Sequence, residues 1–191
     1  INKNKPFLTD SYTKTVYWYD NYQLESIQEE GIRKNWYKNG NLIWYFEFLK
    51  GTDEPNSIPI REVQFNENGS KEWVKWYDTS RTKSWGIKND RLKRNYVTGY
   101  QESKFYDNGT KKETCYIKLD YDGKKLFHLR HGEEKKFDSN GDLSMIGEYK
   151  NGVKDGDHLF YVLGKYLRTR YIFDKGNLNK IIMYYEDGQK E

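Results

Sequence analysis

Hydrophobic and polar residues alternate along much of this chain, and large aromatic rings occupy many of the hydrophobic positions. In residues 42–49, Trp44, Phe46 and Phe48 take one set of alternate positions, and Tyr45 belongs to the other set. A period of two places successive side chains on opposite faces of a β-strand. The pattern therefore predicts a strand that carries large side chains on both faces.

The same alternation recurs further along the chain. In residues 71–78, Trp73 and Tyr77 fall on one face, opposite Val74 and Trp76. Aromatic residues on both faces differ from the pattern of a sheet that buries only one side. We therefore expect an extended, twisted sheet covered in part by its own large side chains. Strands are also predicted in the last third of the chain, at residues 166–173 and 180–185.

The predicted strands are separated by a short phrase in which an aromatic residue is followed by polar residues and a glycine. Tyr37-Lys38-Asn39-Gly40 is one example. Asn-Gly and Asp-Gly favour hairpins because a type I′ turn needs positive φ at both central residues. The aromatic residue is expected to lie at the end of a strand and to bury its side chain. Seven structural turn glycines are predicted: Gly40, Gly69, Gly109, Gly123, Gly141, Gly164 and Gly188.

The spacing of these turns indicates tandem β-hairpin repeats. Gly141 and Gly164 are 23 residues apart, and Gly188 follows 24 residues later. Periods of this length are typical of arrays in which each unit packs against the next. We predict one repeat-array domain over residues 1–191. Its regions are a degenerate N-terminal cap at about 1–30, an irregular middle at 51–60 and 81–99, and the most regular repeats at 132–191.

Composition supports a β-sheet and leaves the compartment open. The chain contains no alanine, whereas 17% of its residues are aromatic, so a helical fold is not expected. The net charge of +4 is small and argues against nucleic acid as the main ligand. Cys115 is the only cysteine and forms no intramolecular disulfide. Because the chain starts at Ile1 rather than Met, we expect that an upstream segment, such as a signal peptide or a tag, has been removed.

No residue pattern points to catalysis, a cofactor or a metal. His128 and His131 are three residues apart, which places them on opposite faces of a strand. Cys115 has no Cys or His at the spacing of a metal ligand. Acidic pairs such as Glu133-Glu134 lie beside turn glycines and are interpreted as solvated charges. We therefore expect a protein that is not an enzyme and has no catalytic residues, cofactor or metal site.

Two features are candidates for contact with a partner. Residues 81–94 contain six basic side chains and one acid, which suits either a solvated hairpin protected from edge-to-edge pairing or a docking surface. Tryptophans cluster around the irregular middle of the chain, and Trp, Tyr and Arg are enriched at protein interfaces. The candidate partner-binding residues are Trp44, Trp73, Trp76, Arg81, Trp85, Arg91, Arg94 and Tyr96.

The segment from Gly147 to Asp157, which reads Gly-Glu-Tyr-Lys-Asn-Gly-Val-Lys-Asp-Gly-Asp, resembles a MORN-repeat variant. That family joins units of the form Gly-x-x-x-x-Tyr-x-x-x-Gly-Lys. The aromatic turns ending at Gly40, Gly109 and Gly188 match half of the unit. The resemblance implies a sheet of hairpin repeats without a catalytic constellation. It also implies the roles given to bacterial members, which are suspected antitoxins or immunity proteins, or exported surface proteins.

The leading hypothesis is a protein-binding repeat module of the antitoxin or immunity type, which binds and blocks a cognate toxin in the cytoplasm. The alternative is an exported or surface-associated structural or adhesive protein that binds a host, cell-wall or lipid partner. A glycan-binding module is a third class, because aromatic side chains also bind sugars.

Overall fold

The computed structural model of the protein describes residues 7–8, 15–21, 23–29, 31–49, 59–80, 82–85, 94–122 and 124–190. The chain forms two compact units, Ile1–Val97 and Thr98–Glu191. Every regular element in the described residues is a β-strand, which confirms the predicted all-β fold of antiparallel hairpins. No helix in this part of the chain is long and apolar enough to cross a membrane.

Nine strands lie in the described residues of unit 1. Strands β1 to β7 pair antiparallel, each with the next in sequence, and β8 pairs only with β9 in the described residues. Their bounds are β1 Phe7–Leu8, β2 Thr15–Trp18, β3 Leu24–Glu29, β4 Ile32–Trp36, β5 Leu42–Phe48, β6 Pro59–Phe65, β7 Lys71–Tyr77, β8 Thr82–Trp85 and β9 Arg94–Val97.

The described part of unit 2 has seven strands of 7 to 12 residues, again joined as consecutive antiparallel hairpins. Their bounds are β10 Gly99–Phe105, β11 Lys111–Tyr121, β12 Leu126–Phe137, β13 Leu143–Lys150, β14 Val153–Val162, β15 Tyr166–Asp174 and β16 Asn177–Met183.

The predicted strands lie close to the observed ones. The largest difference is in β16, which begins three residues before the predicted Lys180 and ends two before Tyr185. The basic segment forms a hairpin where it is described, through the pairing of β8 with β9. Most of the predicted loop at 51–60 and the turn glycine Gly123 lie outside the described residues.

The turns at one end of the hairpins are not the predicted type I′. Gly40 has φ of +87°, but the preceding Asn39 is not among the residues with positive φ. The N–H of Gly40 donates to the carbonyl of Tyr37 at 2.9 Å, and the N–H of Tyr37 donates to Asn41 at 2.7 Å. This is a type I turn closed by a glycine bulge, and it shifts the strand register by one residue. The turns at Gly69, Gly109, Gly141 and Gly188 repeat it.

Type I′ geometry occurs in unit 2 where two consecutive residues have positive φ. Leu163-Gly164 is the one predicted turn of this kind, with φ of 52° and 67°. Asn151-Gly152 and Lys175-Gly176 have the same conformation and close two-residue hairpins. The prediction of a type I′ turn is therefore correct at Gly164. It is wrong at Gly40, Gly69, Gly109, Gly141 and Gly188, where a three-residue loop replaces it.

The aromatic residue of the phrase links one turn to the next. The hydroxyl of Tyr37 donates to the carbonyl of Phe65 at 3.2 Å in unit 1, and the hydroxyl of Tyr106 donates to Phe137 at 2.9 Å in unit 2. Asn108 adds a second bond, from Nδ2 to the carbonyl of Ser139. Each acceptor is the last residue of the strand that leads into the next turn on the same edge, so the hydroxyl joins two neighbouring turns.

Removal of the Tyr106 hydroxyl tests this link. We expect Tyr106→Phe to lower the free energy of unfolding by about 1 kcal/mol, because the carbonyl of Phe137 loses its donor while the ring stays in place. Urea denaturation would show a lower midpoint with an unchanged slope. The matched control is Tyr166→Phe, since Tyr166 is exposed. Equal midpoints for the two variants would contradict the role of the hydroxyl.

Candidate binding surface

The three predicted tryptophans with described side chains do not form one cluster. Trp44 and Trp73 lie on the same face of unit 1, with ring centroids 5.4 Å apart in an edge-to-face arrangement. Both residues flank Gln64, which pairs with Trp44 in β5 and with Trp73 in β7. Trp76 is three residues after Trp73 and therefore points to the opposite face, where it is 50% exposed.

The other predicted partner residues are not described in enough detail to place. Arg81 and Arg91 lie outside the described residues, and so do the side chains of Trp85, Arg94 and Tyr96. Of the last three, the structure describes only the backbone, which lies in β8 or β9. Their role in binding stays a prediction.

Trp44, Phe46, Phe48 and Trp73 form a surface that we call the aromatic row. Its rings are half-buried. Phe46 stacks on Trp44 at 5.3 Å with 10° between the ring planes, and Phe48 stacks on Phe46 at 6.1 Å with 8°. Side chains two residues apart share a face of a strand, so the alternation in β5 produces this stack directly.

Cationic side chains border the aromatic row. The ammonium of Lys75 lies 4.2 Å from the Trp73 ring centroid, and the guanidinium of Arg33 lies 5.5 Å from that of Phe48. Lys75 also pairs with Glu62 at 3.4 Å. The aromatic row is thus a half-exposed apolar strip with fixed charges at its border, which resembles the composition of protein interfaces.

The opposite face of unit 1 is more tightly packed. The guanidinium of Arg61 lies between two rings, 4.7 Å from the centroid of Trp76 and 5.4 Å from that of Tyr45. Val63 and Val74 are buried on this face and pair with each other across β6 and β7. The exposed Trp76 is therefore half of a stacking contact that covers the apolar core of the unit.

Unit 2 has a different interior, in which two polar residues are fully buried. Glu134 is 0% exposed and His158 is 1% exposed. They occupy equivalent places in successive hairpins, because each pairs with Gly147 from one side. A Cβ on Gly147 would collide with the His158 imidazole, so the glycine makes room for the ring. The interpretation of Glu133-Glu134 as solvated charges is correct for Glu133 and wrong for Glu134.

Ion pairs neutralise the buried carboxylates of unit 2. Arg130 bridges two of them, with Nη1 3.1 Å from Oε1 of Glu134 and Nη2 3.1 Å from Oε1 of Glu113. Lys104 lies 3.4 Å from Glu113 and 3.5 Å from Glu102. Lys136 lies 4.0 Å from Oε2 of Glu134. Three cations thus face three carboxylates, and their charge is balanced within the sheet.

Cys115 lies among these carboxylates, which spacing along the sequence did not indicate. Its thiol and the carboxylates of Glu102 and Glu113 have potential ligand atoms within 4.8 Å of one another. Burial above all, and then the carboxylates of Glu102 and Glu113, raise the pKa of the Cys115 thiol to about 11. A protonated thiol is a poor nucleophile and a poor metal ligand, and Lys104 and Arg130 already lie against both carboxylates. We therefore interpret Glu102 and Glu113 as partners in structural ion pairs, with the Cys115 thiol packed beside them.

Comparisons of the sequence with models of known protein families and with characterised proteins gave no match.

His158 should make unit 2 sensitive to acid. Its Nε2 lies 2.9 Å from the carbonyl of Glu148, which only accepts, so this nitrogen carries the hydrogen. Burial is the largest effect and lowers the pKa of His158 below 6.5. The hydrogen bond to the Glu148 carbonyl and the carboxylates of Glu134 and Asp157 act in the opposite direction, whereas the charge of Lys154 lowers the pKa further. Because the unfolded chain binds this proton more readily, we expect the free energy of unfolding to fall as the pH drops below about 6.5.

Urea denaturation at about pH 7.5 and about pH 5.5 measures this effect. We expect the difference in unfolding free energy between the two pH values to shrink in His158→Gln, which cannot titrate. Ser139→Ala is the control, since Ser139 is exposed and does not titrate, so the difference should stay unchanged. If the difference in unfolding free energy between the two pH values is the same in wild type and His158→Gln, groups other than His158 cause the acid sensitivity.

Cys115 should be unreactive in the folded protein. With a thiol pKa of about 11, about one molecule in a thousand is a thiolate at pH ~8. We expect Ellman's reagent at that pH to label the native chain far more slowly than the chain in urea. An exposed reporter, Ser139→Cys combined with Cys115→Ser, provides the fast control. Equal rates for Cys115 and the reporter would contradict the buried, protonated thiol.

Proposed function

We propose that this chain is a non-enzymatic protein-binding module and that the aromatic row of unit 1 contacts the partner. The proposal rests on one observation: Trp44, Phe46, Phe48 and Trp73 form a continuous, half-exposed strip bordered by Lys75 and Arg33. Aromatic side chains supply large contact area for little conformational entropy, and they carry much of the energy of protein interfaces.

The orientation of the rings favours a protein partner over a glycan. Trp44, Phe46 and Phe48 turn their faces toward one another, with no more than 10° between neighbouring ring planes. A sugar-binding platform needs an exposed ring face on which a pyranose can lie. A row that presents ring edges suits apolar and polar side chains of another protein instead.

In its specific form, the proposal is an antitoxin or immunity-type protein that binds and blocks a cognate toxin. Support for this form comes from the resemblance of the segment at Gly147 to the MORN-repeat variant. The chain would cover the toxin's substrate site by surface complementarity, with a few aromatic and cationic side chains supplying most of the affinity. The net charge of +4 favours a toxin whose contact surface is acidic.

Affinity capture from lysate of the source cells tests the proposal. We expect one protein to be retained in stoichiometric amount by the tagged wild type and to survive a wash in high salt. Trp73→Ala should weaken retention by about 10-fold or more, which corresponds to about 1.4 kcal/mol. Trp76→Ala is the matched control, because it removes the same side chain three residues away on the other face.

The captured protein should then be tested for toxicity in cells with and without the chain. Rescue by wild type but not by Trp73→Ala would support the antitoxin form. Retention that is equally weakened by both variants would contradict the assignment of the aromatic row. Recovery of the chain in the wall or membrane pellet, with no stoichiometric protein, would favour the surface-associated alternative.

A further inference from the structure

The last strand of unit 2 has a free edge. β16 pairs with β15 along one side only within the described residues. The N–H of Tyr184 donates to the carbonyl of Arg168 at 3.0 Å, toward β15. Because N–H groups alternate in direction along a strand, the amide of Ile182 also faces β15 and that of Ile181 faces outward. The outer edge therefore presents backbone groups that suit a further strand.

The turn after β16 already directs a chain onto this edge. The N–H of Tyr185 donates to the carbonyl of Gln189 at 2.8 Å, and Gly188 has φ of +84°, as in the internal turns of the sheet. Tyr184 and Lys190 form a single antiparallel bridge at the outer side of the sheet. Lys190 thus occupies the first position of an additional strand beside β16. The rest of the outer edge of β16 has no pairing strand within the described residues.

The side chains along this edge are apolar and basic. Ile181 is 49% exposed and Met183 is 46% exposed. An open depression of about 410 Å³ is lined by Ile181, Ile182 and Met183 together with Lys180 and Lys190. An exposed hydrophobic edge strand binds other strands unless it is blocked, and lysines are the residues that most often discourage pairing with like-charged edges.

We propose that the outer edge of β16 binds an extended acidic segment of another protein as an additional antiparallel strand. The backbone of Ile181 supplies main-chain hydrogen bonds, Ile181 and Met183 contact alternate apolar residues, and Lys180 and Lys190 pair with carboxylates. The depression has two lysines and no acid in its lining, so the charge selects an acidic occupant. A second copy of the chain, paired through the same edge, would place its own Lys180 and Lys190 against these lysines, and the like charges would repel.

A seven-residue peptide of alternating valine and glutamate, acetylated, amidated and labelled with fluorescein, tests this proposal, since its length matches that of β16. The comparison peptide alternates valine and lysine. We expect fluorescence anisotropy to show at least 10-fold tighter binding of the glutamate peptide, and weaker binding as salt is raised. Hydrogen exchange of the Ile181 amide should slow by at least 10-fold when the peptide is bound.

A charge reversal provides the sharper test. Lys180→Glu should weaken the binding of the glutamate peptide by at least 10-fold and strengthen the binding of the lysine peptide. Lys150→Glu is the control, because Lys150 is an exposed lysine on β13, and it should change neither affinity. A glutamate peptide that is N-methylated at every residue should not bind, because neither of its edges can donate main-chain hydrogen bonds. These readouts concern unit 2, so they can fail while the aromatic row of unit 1 still binds its partner.

Three results would overturn the proposal. The first is equal affinity for the two peptides, or no binding of the glutamate peptide up to about 1 mM. The second is binding without protection of the Ile181 amide, which would place the peptide elsewhere. The third is self-association in sedimentation experiments that protects the Ile181 amide at high protein concentration, which would identify the occupant as a second copy.

Discussion

Each strand of this protein buries its side chains mainly against the strands on either side of it. In the described residues, the principal contacts between elements run between neighbours in the sheet, and no helix is present to cover a face. A sheet of this kind needs large side chains that extend over adjacent strands, because a second layer does not supply the burial. The aromatic content of the chain, at 17%, meets this need. Trp76 stacked over Arg61 is one example.

The same constraint explains the polar interior of unit 2. Ion pairs add to the aromatic packing there: Arg130 contacts Glu113 on β11 and the fully buried Glu134 on its own strand. The guanidinium of Arg130 also lies 5.5 Å from the centroid of the Tyr149 ring. A buried ion pair contributes little net stability compared with apolar packing, but it penalises any register that separates the charges. Repeated hairpins can slip by one repeat, so a row of mutually paired charges favours a single register.

The two proposed binding surfaces follow from the open construction of the sheets. In unit 1, the face with Val63 and Val74 is closed by Arg61 and Trp76, and the other face retains the half-exposed aromatic row. In unit 2, the sheet ends at β16, whose Ile181 and Met183 remain exposed beside two lysines. Each proposed surface is a place where the sheet leaves apolar side chains partly exposed.

The sequence alone indicated the approximate positions of several strands and turns, because alternation and glycine position are local properties. It placed Trp44, Phe46 and Phe48 on one face of one strand, and the structure confirms this placement and adds the stacking of the rings. Strand pairing decided the rest. Glu134 and His158 are 24 residues apart and meet only through Gly147, and Cys115 meets Glu102 only across β10 and β11. Which polar residue is buried depends on the register between strands, and no local pattern contains that information.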